Sequence, residues 1–248
     1  MGNNPAHSSW GPASAGPFHV ILFDADGTLF DFRRAERHAL NEAMASFDLA
    51  YDEAVHPAAY ATINRALWQQ LEQGGITADH LKIERFRRFC AALDVVVDPE
   101  AFSGEYLRRL AQGTFLIDGA EALLAALRTR VRLGIVTNGL AEVQRPRLAR
   151  SAVGSLFETI VVSEELGVAK PDARIFQHAL RQLRHDDMAT VLMVGDCLEA
   201  DIQGGCNAGL RTCWFNPSGV ANGSDIRPTF EIARLSELPG RLDDLVWA

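Results

Sequence analysis

Four consecutive apolar residues, Val20-Ile21-Leu22-Phe23, stand between polar neighbours and read as a short buried strand. From about Arg33 to Gln112 the apolar positions return at helical spacing instead. Ile63, Leu67 and Leu71 recur every four residues, as do Phe86 and Cys90, with Leu93 three further on. Gly74-Gly75 ends the first of these helices, and Thr77 or Asp79 can cap the next. Val95-Val96-Val97 is the one strand-like run in this block. After Leu116 the texture changes. Helices over 119–130, 140–151, 172–184 and about 199–208 alternate with strands over 132–136, 159–162, 191–194 and 211–215, and a last helix covers 236–246. Uninterrupted Val, Ile and Leu runs suit strands covered on both faces, and strand–helix alternation predicts a doubly wound parallel α/β sheet. A helical bundle at 33–112 is inserted into it.

Composition narrows the class without changing this picture. The chain has 248 residues, 48% hydrophobic and 23% charged, enough for one large domain or two smaller ones. A net charge of −8 argues against a general nucleic-acid binder and requires local positive charge wherever an anion is handled. No run of 18 apolar residues suggests a membrane span. Residues 1–17 are rich in Gly, Ser, Ala and Pro, lack the layout of a secretory signal, and read as a disordered tail. Four cysteines without a Cys-x-x-Cys pair point to reduced thiols in a cytoplasmic protein, and no two of the seven histidines are spaced to share a metal on a helix.

In doubly wound sheets ligands bind beyond the carboxyl ends of the strands. The residues there are Asp24 and Asp26 after the first strand, then Thr137-Asn138-Gly139, then Ser163 leading to Lys170-Pro171, then Gly195-Asp196 with Asp201. Residues two apart in extended chain point the same way, so Asp24 and Asp26 should face one spot. Two carboxylates about 4 Å apart repel by roughly 4 kcal/mol at an effective dielectric near 20, a cost relieved by a cation or a shared proton. Singly, each group has a plainer reading: an Asp-Gly turn, a Thr-Asn helix cap, a solvated loop lysine, an acid complementing a helix N-terminus. Four strand ends carrying complementary chemistry make the joint reading the stronger one.

The set Asp24-x-Asp26-Gly27-Thr28, Thr137-Asn138-Gly139, Lys170-Pro171 and Gly195-Asp196-x4-Asp201 resembles the haloacid dehalogenase superfamily of phosphotransferases, over residues 18–216. The resemblance implies a Rossmann-like core, residues 18–32 and 113–248, with a helical cap domain at 33–112. It implies Asp24 as nucleophile through an aspartyl-phosphate, and Asp26 as the acid for the leaving alkoxide and then the base for water. Thr137, Asn138 and Lys170 would hold the phosphate. Asp24, Asp26 (through its backbone carbonyl), Asp196 and Asp201 would serve Mg²⁺, an ion suited to oxygen ligands.

A narrower likeness adds Asn64-Arg65-Ala66-Leu67-Trp68 and Gly74-Gly75-Ile76-Thr77 in the cap, Ser163-Glu164-Glu165-Leu166-Gly167-Val168-Ala169-Lys170-Pro171, and Asp201-Ile202-x-Gly204-Gly205-x-Asn207-Ala208-Gly209. Together these resemble the noncanonical pyrimidine 5′-nucleotidases. That implies hydrolysis of pyrimidine (deoxy)nucleoside 5′-monophosphates, a small-molecule nucleotide substrate, and a monomer or homodimer with neither nucleic-acid nor membrane partners. Trp68, Arg65 and Gln69 are positioned to meet a base, with cap packing the readier reading for Trp68. A phosphatase for phosphoglycolate or small sugar phosphates, or a catalytically silent scaffold, uses the same residues and stays open. The sequence departs from the family at Gly27, often Glu, and at Cys197, usually Thr or Ser; a thiol there would be a point of oxidant sensitivity.

Overall fold

The structure is a computed structural model and describes residues 18–244. The tail assigned to 1–17, and the end of the last helix beyond Asp244, lie outside the described residues. The chain opens with β1 (Val20–Phe23) and then runs through four helices, α1 (Phe32–Ser46), α2 (His56–Glu72), α3 (Ala78–Ala92) and α4 (Pro99–Leu110). It continues through α5 (Ala120–Leu127), β2 (Arg132–Thr137), α6 (Ala141–Arg150), β3 (Thr159–Val162), the single turn α7 (Ser163–Leu166), α8 (Ala173–Gln182) and β4 (Val191–Gly195). A π-helical segment, Leu198–Gln203, leads into α9 (Gly204–Asn207), followed by β5 (Arg211–Phe215), β6 (Phe230–Ile232) and α10 (Leu238–Asp244).

All six strands are parallel, in the order β3-β2-β1-β4-β5-β6. The fold is the doubly wound, Rossmann-like α/β architecture with helices on both faces. Strand alternation builds the two layers of core directly. Ile21 and Phe23 of β1 join Leu133, Ile135, Leu192, Val194, Cys213 and Phe215 on the face covered by α5 and α10. Val20 and Leu22 join Val136, Val191 and Met193 on the face covered by α8, through Ile175, Phe176, Ala179 and Leu180. The order of strands reverses between β1 and β4, which places the ligand crevice of such a sheet at their carboxyl ends.

The four helices α1–α4 have an apolar core of their own. Ala35, Ala39, Ala43 and Met44 form the small-residue face of α1, which packs against the aromatic cluster Tyr60, Phe86, Phe89, Phe102 and Tyr106. Phe86 is its centre, with ring centroids 4.9 Å from Tyr106, 5.0 Å from Phe102 and 5.4 Å from Tyr60. Leu140 and Val143, at the start of α6, close this core from below and so join the helical layer to the sheet domain. Capping follows the sequence: the Thr77 hydroxyl accepts from the His80 backbone N–H at 3.2 Å, and Asp98 and Asp31 do the same work for α4 and α1.

Two elements differ from the pattern reading. Val95-Val96-Val97 is not a strand but the loop between α3 and α4, with Val96 fully exposed. β-branched composition alone does not make a strand where no partner edge is at hand. β6 is an added edge strand whose three residues, Phe-Glu-Ile, carry too short a pattern to be read from sequence. Among the described residues no helix is long and apolar enough to cross a membrane.

Candidate active site

The carboxyl ends of β1, β2 and β4, the Lys170 loop and the helical layer enclose a cavity of about 320 Å³. Asp24, Asp26, Thr137, Asn138, Lys170, Asp196 and Asp201 all line it. These seven residues are therefore brought to one place, although 177 positions separate Asp24 from Asp201 in the chain, whereas Ser163 and Pro171 border neighbouring clefts.

Asp24 extends β1 by one hydrogen bond, its N–H donating to the Val194 carbonyl at 2.9 Å, which fixes its carboxylate beside β4. Lys170 Nζ lies 2.5 Å from Asp24 Oδ1 and 2.7 Å from Asp201 Oδ1. All three side chains are buried. The other Asp201 oxygen accepts from the Cys197 N–H at 3.0 Å, and Asp196 accepts from the Thr28 hydroxyl at 3.3 Å. Two glycines make these approaches possible. A Cβ at Gly195 would fall 2.2 Å from Asp201 Oδ2, and one at Gly27, whose φ is +87°, would fall 2.4 Å from Asp196 Oδ2.

The electrostatics show one cation facing too many anions. Burial pushes Asp24 well above the usual carboxylate range; Lys170 opposes this, and Asp201 and Asp196 add to it. Burial, then Asp201, pushes Asp196 up to about 6. For Lys170 burial works against the charge, yet Asp201 and Asp24 together hold its pKa above the ordinary value. Carboxylate oxygens of Asp24, Asp196 and Asp201 lie within 4.8 Å of one another. Three clustered carboxylates balanced by a single ammonium form a hard-oxygen site with charge to spare, and a divalent cation such as Mg²⁺ fits that donor set.

Two expectations about individual side chains need correction. Asp26 does not turn its carboxylate toward Asp24. The chain bends at Ala25, so the two-residue alternation of a strand no longer applies. The Asp26 carboxylate instead accepts from Gln144 Nε2 at 2.6 Å and from Arg147 Nη2, both on α6. Asn138 was expected to present its amide to a phosphate. Its side chain instead clamps the Lys170 backbone, donating from Nδ2 to the Lys170 carbonyl at 2.9 Å and accepting from the Lys170 N–H at 2.8 Å. Thr137 accepts from the Gly139 N–H at 3.2 Å and remains buried at the cavity floor.

Gln144 and Arg147 were not anticipated. Arg147 is fully buried, stacks 4.8 Å from the Phe30 ring and also donates to Gln144 Oε1 at 2.7 Å. The signal for them exists in hindsight: two polar residues three apart on the side of a helix that also presents Val143 and Leu148 inward. From the helical layer, Asn64, Trp68 and Arg85 reach the cavity, whereas Arg65 is exposed and Gln69 lies on an outer cleft instead. The Cys197 thiol accepts from the Ala200 N–H at 3.5 Å. Cys197 is exposed, yet its crowded surroundings, with Asp201 and Glu199, push the thiol up to about 12, so little of it is thiolate.

Known proteins agree with this geometry. The family model for haloacid dehalogenase-like hydrolases matches residues 18–209. The chain is 37% identical over 218 residues to pyrimidine 5′-nucleotidase YjjG of Escherichia coli, covering 88% of this chain and 95% of that protein. It is 35% identical to pyrimidine 5′-nucleotidase PynA of Streptococcus pneumoniae (91% and 95% covered) and 31% identical to the mouse N-acylneuraminate-9-phosphatase (91% and 94%). Among solved structures it resembles the magnesium-bound HAD-hydrolase YfnB of Bacillus subtilis, in which interdomain movement is seen, with a TM-score of 0.85, 36% identity, and 91% of this chain and 99% of that one covered. With the strand-end carboxylates, the buried lysine and these matches together, the chain belongs to the haloacid dehalogenase-like hydrolases.

Proposed function

We propose that the protein hydrolyses pyrimidine (deoxy)nucleoside 5′-monophosphates to nucleoside and phosphate. The observation that carries the reading is the buried Asp24–Lys170–Asp201 chain opening on the same cavity as Asp26, Thr137 and Asp196. Similarity to two pyrimidine 5′-nucleotidases supports the substrate class. In this reading α1–α4 are the cap, and α1 to α4 together with the core strands enclose the ester.

Asp24 attacks phosphorus in line, forming an acyl-phosphate bond as the ester P–O bond breaks. Asp26 gives a proton to the departing 5′-oxygen. Water then attacks the acyl-phosphate, Asp26 takes its proton, and inorganic phosphate leaves with the Asp24 carboxylate regenerated. One group serves as acid and then base because the two half-reactions move protons in opposite directions. The Lys170 ammonium opposes the burial that favours a protonated Asp24, holds that carboxylate in place and meets phosphoryl oxygens. The Thr137 hydroxyl offers them a hydrogen bond, and Asn138 holds the lysine loop rigid through its two backbone contacts. Asp24, Asp196 and the Asp26 carbonyl would hold Mg²⁺, with Asp201 behind them. When bound, the ion neutralises phosphoryl charge and orients the ester.

A panel of phosphate monoesters read by released phosphate tests the proposal. Uridine and thymidine monophosphates should lead it, and Asp24→Asn should lose at least about 10³-fold in kcat. Preference for phosphoglycolate or hexose phosphates would overturn the substrate class, and an Asp24→Asn variant with undiminished turnover would overturn the mechanism.

A further inference from the structure

The cap wall of the cavity holds a charge that the protein itself leaves short of partners. Arg85, on α3, is 2% exposed and lines the cavity. Its only hydrogen bond among the described residues runs from Nη1 to Asn64 Oδ1 at 3.4 Å. Nε and Nη2 are buried with no partner, and so are the hydroxyls of Tyr60 and Tyr106 beside it. The guanidinium otherwise rests against two adjoining rings, 5.0 Å from Phe86 and 5.1 Å from Tyr106. Asn64 in turn donates from Nδ2 to Glu36 Oε1 at 3.3 Å. Both links in the Glu36–Asn64–Arg85 chain are at the long end of N–H···O geometry, so exchanging them for a better partner costs little. Cation–π contact offsets part of the burial cost, but unpaired donors on a buried charge remain expensive.

We propose that Arg85 and Asn64, with Glu36 behind them, form the cap's recognition edge for the leaving group, receiving the carbonyl–imide edge of a uracil- or thymine-type ring. The assignment rests on the nucleotidase reading above and deepens it. The shortfall in this cluster is in acceptors, which a ring carbonyl supplies. Asn64 Oδ1, steadied by the Glu36 contact behind it, offers an acceptor for the ring N–H. Phe32, Trp68, Leu110, Leu140 and Val143 give the same cavity flat apolar walls, which suit an aromatic ring better than a polyhydroxylated sugar. A cavity of about 320 Å³ is at the small end of ligand sites, favouring a single ring. A carboxylate is the other ligand that would satisfy Arg85, but Glu36 beside it disfavours a second anion.

The test compares kcat/KM for uridine 5′-monophosphate with that for ribose 5-phosphate, which has the same ester and no base. Phosphoglycolate and adenosine 5′-monophosphate complete the set. Wild type should prefer the uridine ester. Arg85→Met should lower the uridine-to-ribose ratio by about tenfold or more, Asn64→Ala should lower it less, and Arg85→Lys should recover part of it. Inhibition by free uridine should weaken in the same order, with inhibition by phosphate not following it. Should Arg85→Met fail to fold, the Arg85→Lys and Asn64→Ala ratios carry the decision. A wild type that prefers uridine monophosphate while these variants keep its ratio within about twofold overturns the assignment alone. Loss of phosphoglycolate turnover as the main effect of Arg85→Met overturns it in favour of a carboxylate ligand. A wild type with no preference for the base overturns the nucleotidase reading itself.

Discussion

A single buried guanidinium decides where Asp26, the proton-transfer group of the proposed mechanism, points. Asp26 is partly open to solvent, yet both of its oxygens are taken, one by Gln144 and one by Arg147. Arg147 reaches no substrate-facing atom in this arrangement, so it acts through Asp26 and is a positioning residue. Arg147→Met fills the same buried space but leaves the Asp26 carboxylate without its cationic partner, so stability should fall, by less than the roughly 3–5 kcal/mol of a fully buried pair because Asp26 is partly open to solvent. Catalysis should fall by about 10–100-fold, because a misplaced acid loses most of its contribution. The loss should be larger for uridine monophosphate, whose alkoxide must be protonated, than for p-nitrophenyl phosphate, whose phenolate need not be. Equal losses on both esters would show that the guanidinium supports the fold and nothing more. Glu36 yields a prediction of a different kind. Burial raises its pKa from 4.5 to about 7, against the pull of Arg85, with Asp26 adding to the rise and Arg33 opposing it. The folded state therefore binds this proton more tightly than the unfolded chain. The stability it lends below about pH 4.5 is lost as pH rises through 7, by at most about 3 kcal/mol and less for a half-buried group. Glu36→Gln should thus gain in melting temperature over wild type between pH 5 and pH 8, and a pH-independent difference would refute the shift.

At the scale of elements, contact between the helical layer and the sheet domain depends on α6 and its neighbours. Leu140 and Val143 supply the apolar part. Lys82 of α3 supplies the polar part, with Nζ 2.8 Å from Glu142 on α6 and 3.0 Å from Glu164 on α7. Such partly exposed pairs contribute only about 0–1 kcal/mol each, so they stabilise a particular arrangement of the layers rather than the fold. Lys82→Ala should leave the melting temperature within about 2 °C and raise KM several-fold by favouring an open cap, with kcat little changed. A proportional fall in kcat with KM intact would place the effect in the chemistry instead. The same helix shows why part of the site was legible in the sequence and part was not. Asp24, Thr137 and Asp196 stand at the ends of apolar runs read as strands, and Lys170 follows a further such run, β3, by one short turn and loop, so their convergence is a property of strand ends and needs no side-chain detail. Gln144, Arg147, Asn64 and Arg85 sit mid-helix, where a polar residue ordinarily means solvent, and only tertiary packing turns them inward. The Asp26 orientation escaped the alternation rule because the strand ends one residue earlier. Val95-Val96-Val97 shows the opposite error, with strong strand composition and no neighbouring edge to pair with.

For the molecule as a whole, the balance of charge in the crevice links metal, proton and stability. Asp24 and Asp196 both hold protons more tightly than free carboxylates do, Asp24 because it is buried and Asp196, which stays exposed at the cavity, because its crowded surroundings strip water from it and Asp201 adds its charge. With Asp201 they leave Lys170 as the one cation hydrogen-bonded to a cluster of three acids. A divalent ion that binds the folded site and not the unfolded chain should stabilise it by mass action, by about 2.7 kcal/mol at a hundredfold excess over Kd. For a chain of this length that corresponds to a rise in melting temperature of about 5–10 °C. Because Mg²⁺ must compete with protons on Asp196, whose pKa is near 6, the rise should be large at pH 8 and shrink markedly at pH 5. Chelator-treated protein titrated with MgCl₂ by differential scanning calorimetry at the two pH values measures both effects. Asp196→Asn should abolish the Mg²⁺ response while itself raising the baseline melting temperature at pH 8, since it removes one of three crowded negative charges. A melting temperature indifferent to Mg²⁺ at pH 8 would mean that the acids are neutralised by protons and Lys170 alone, and the cation-dependent account of the site would then have to be abandoned.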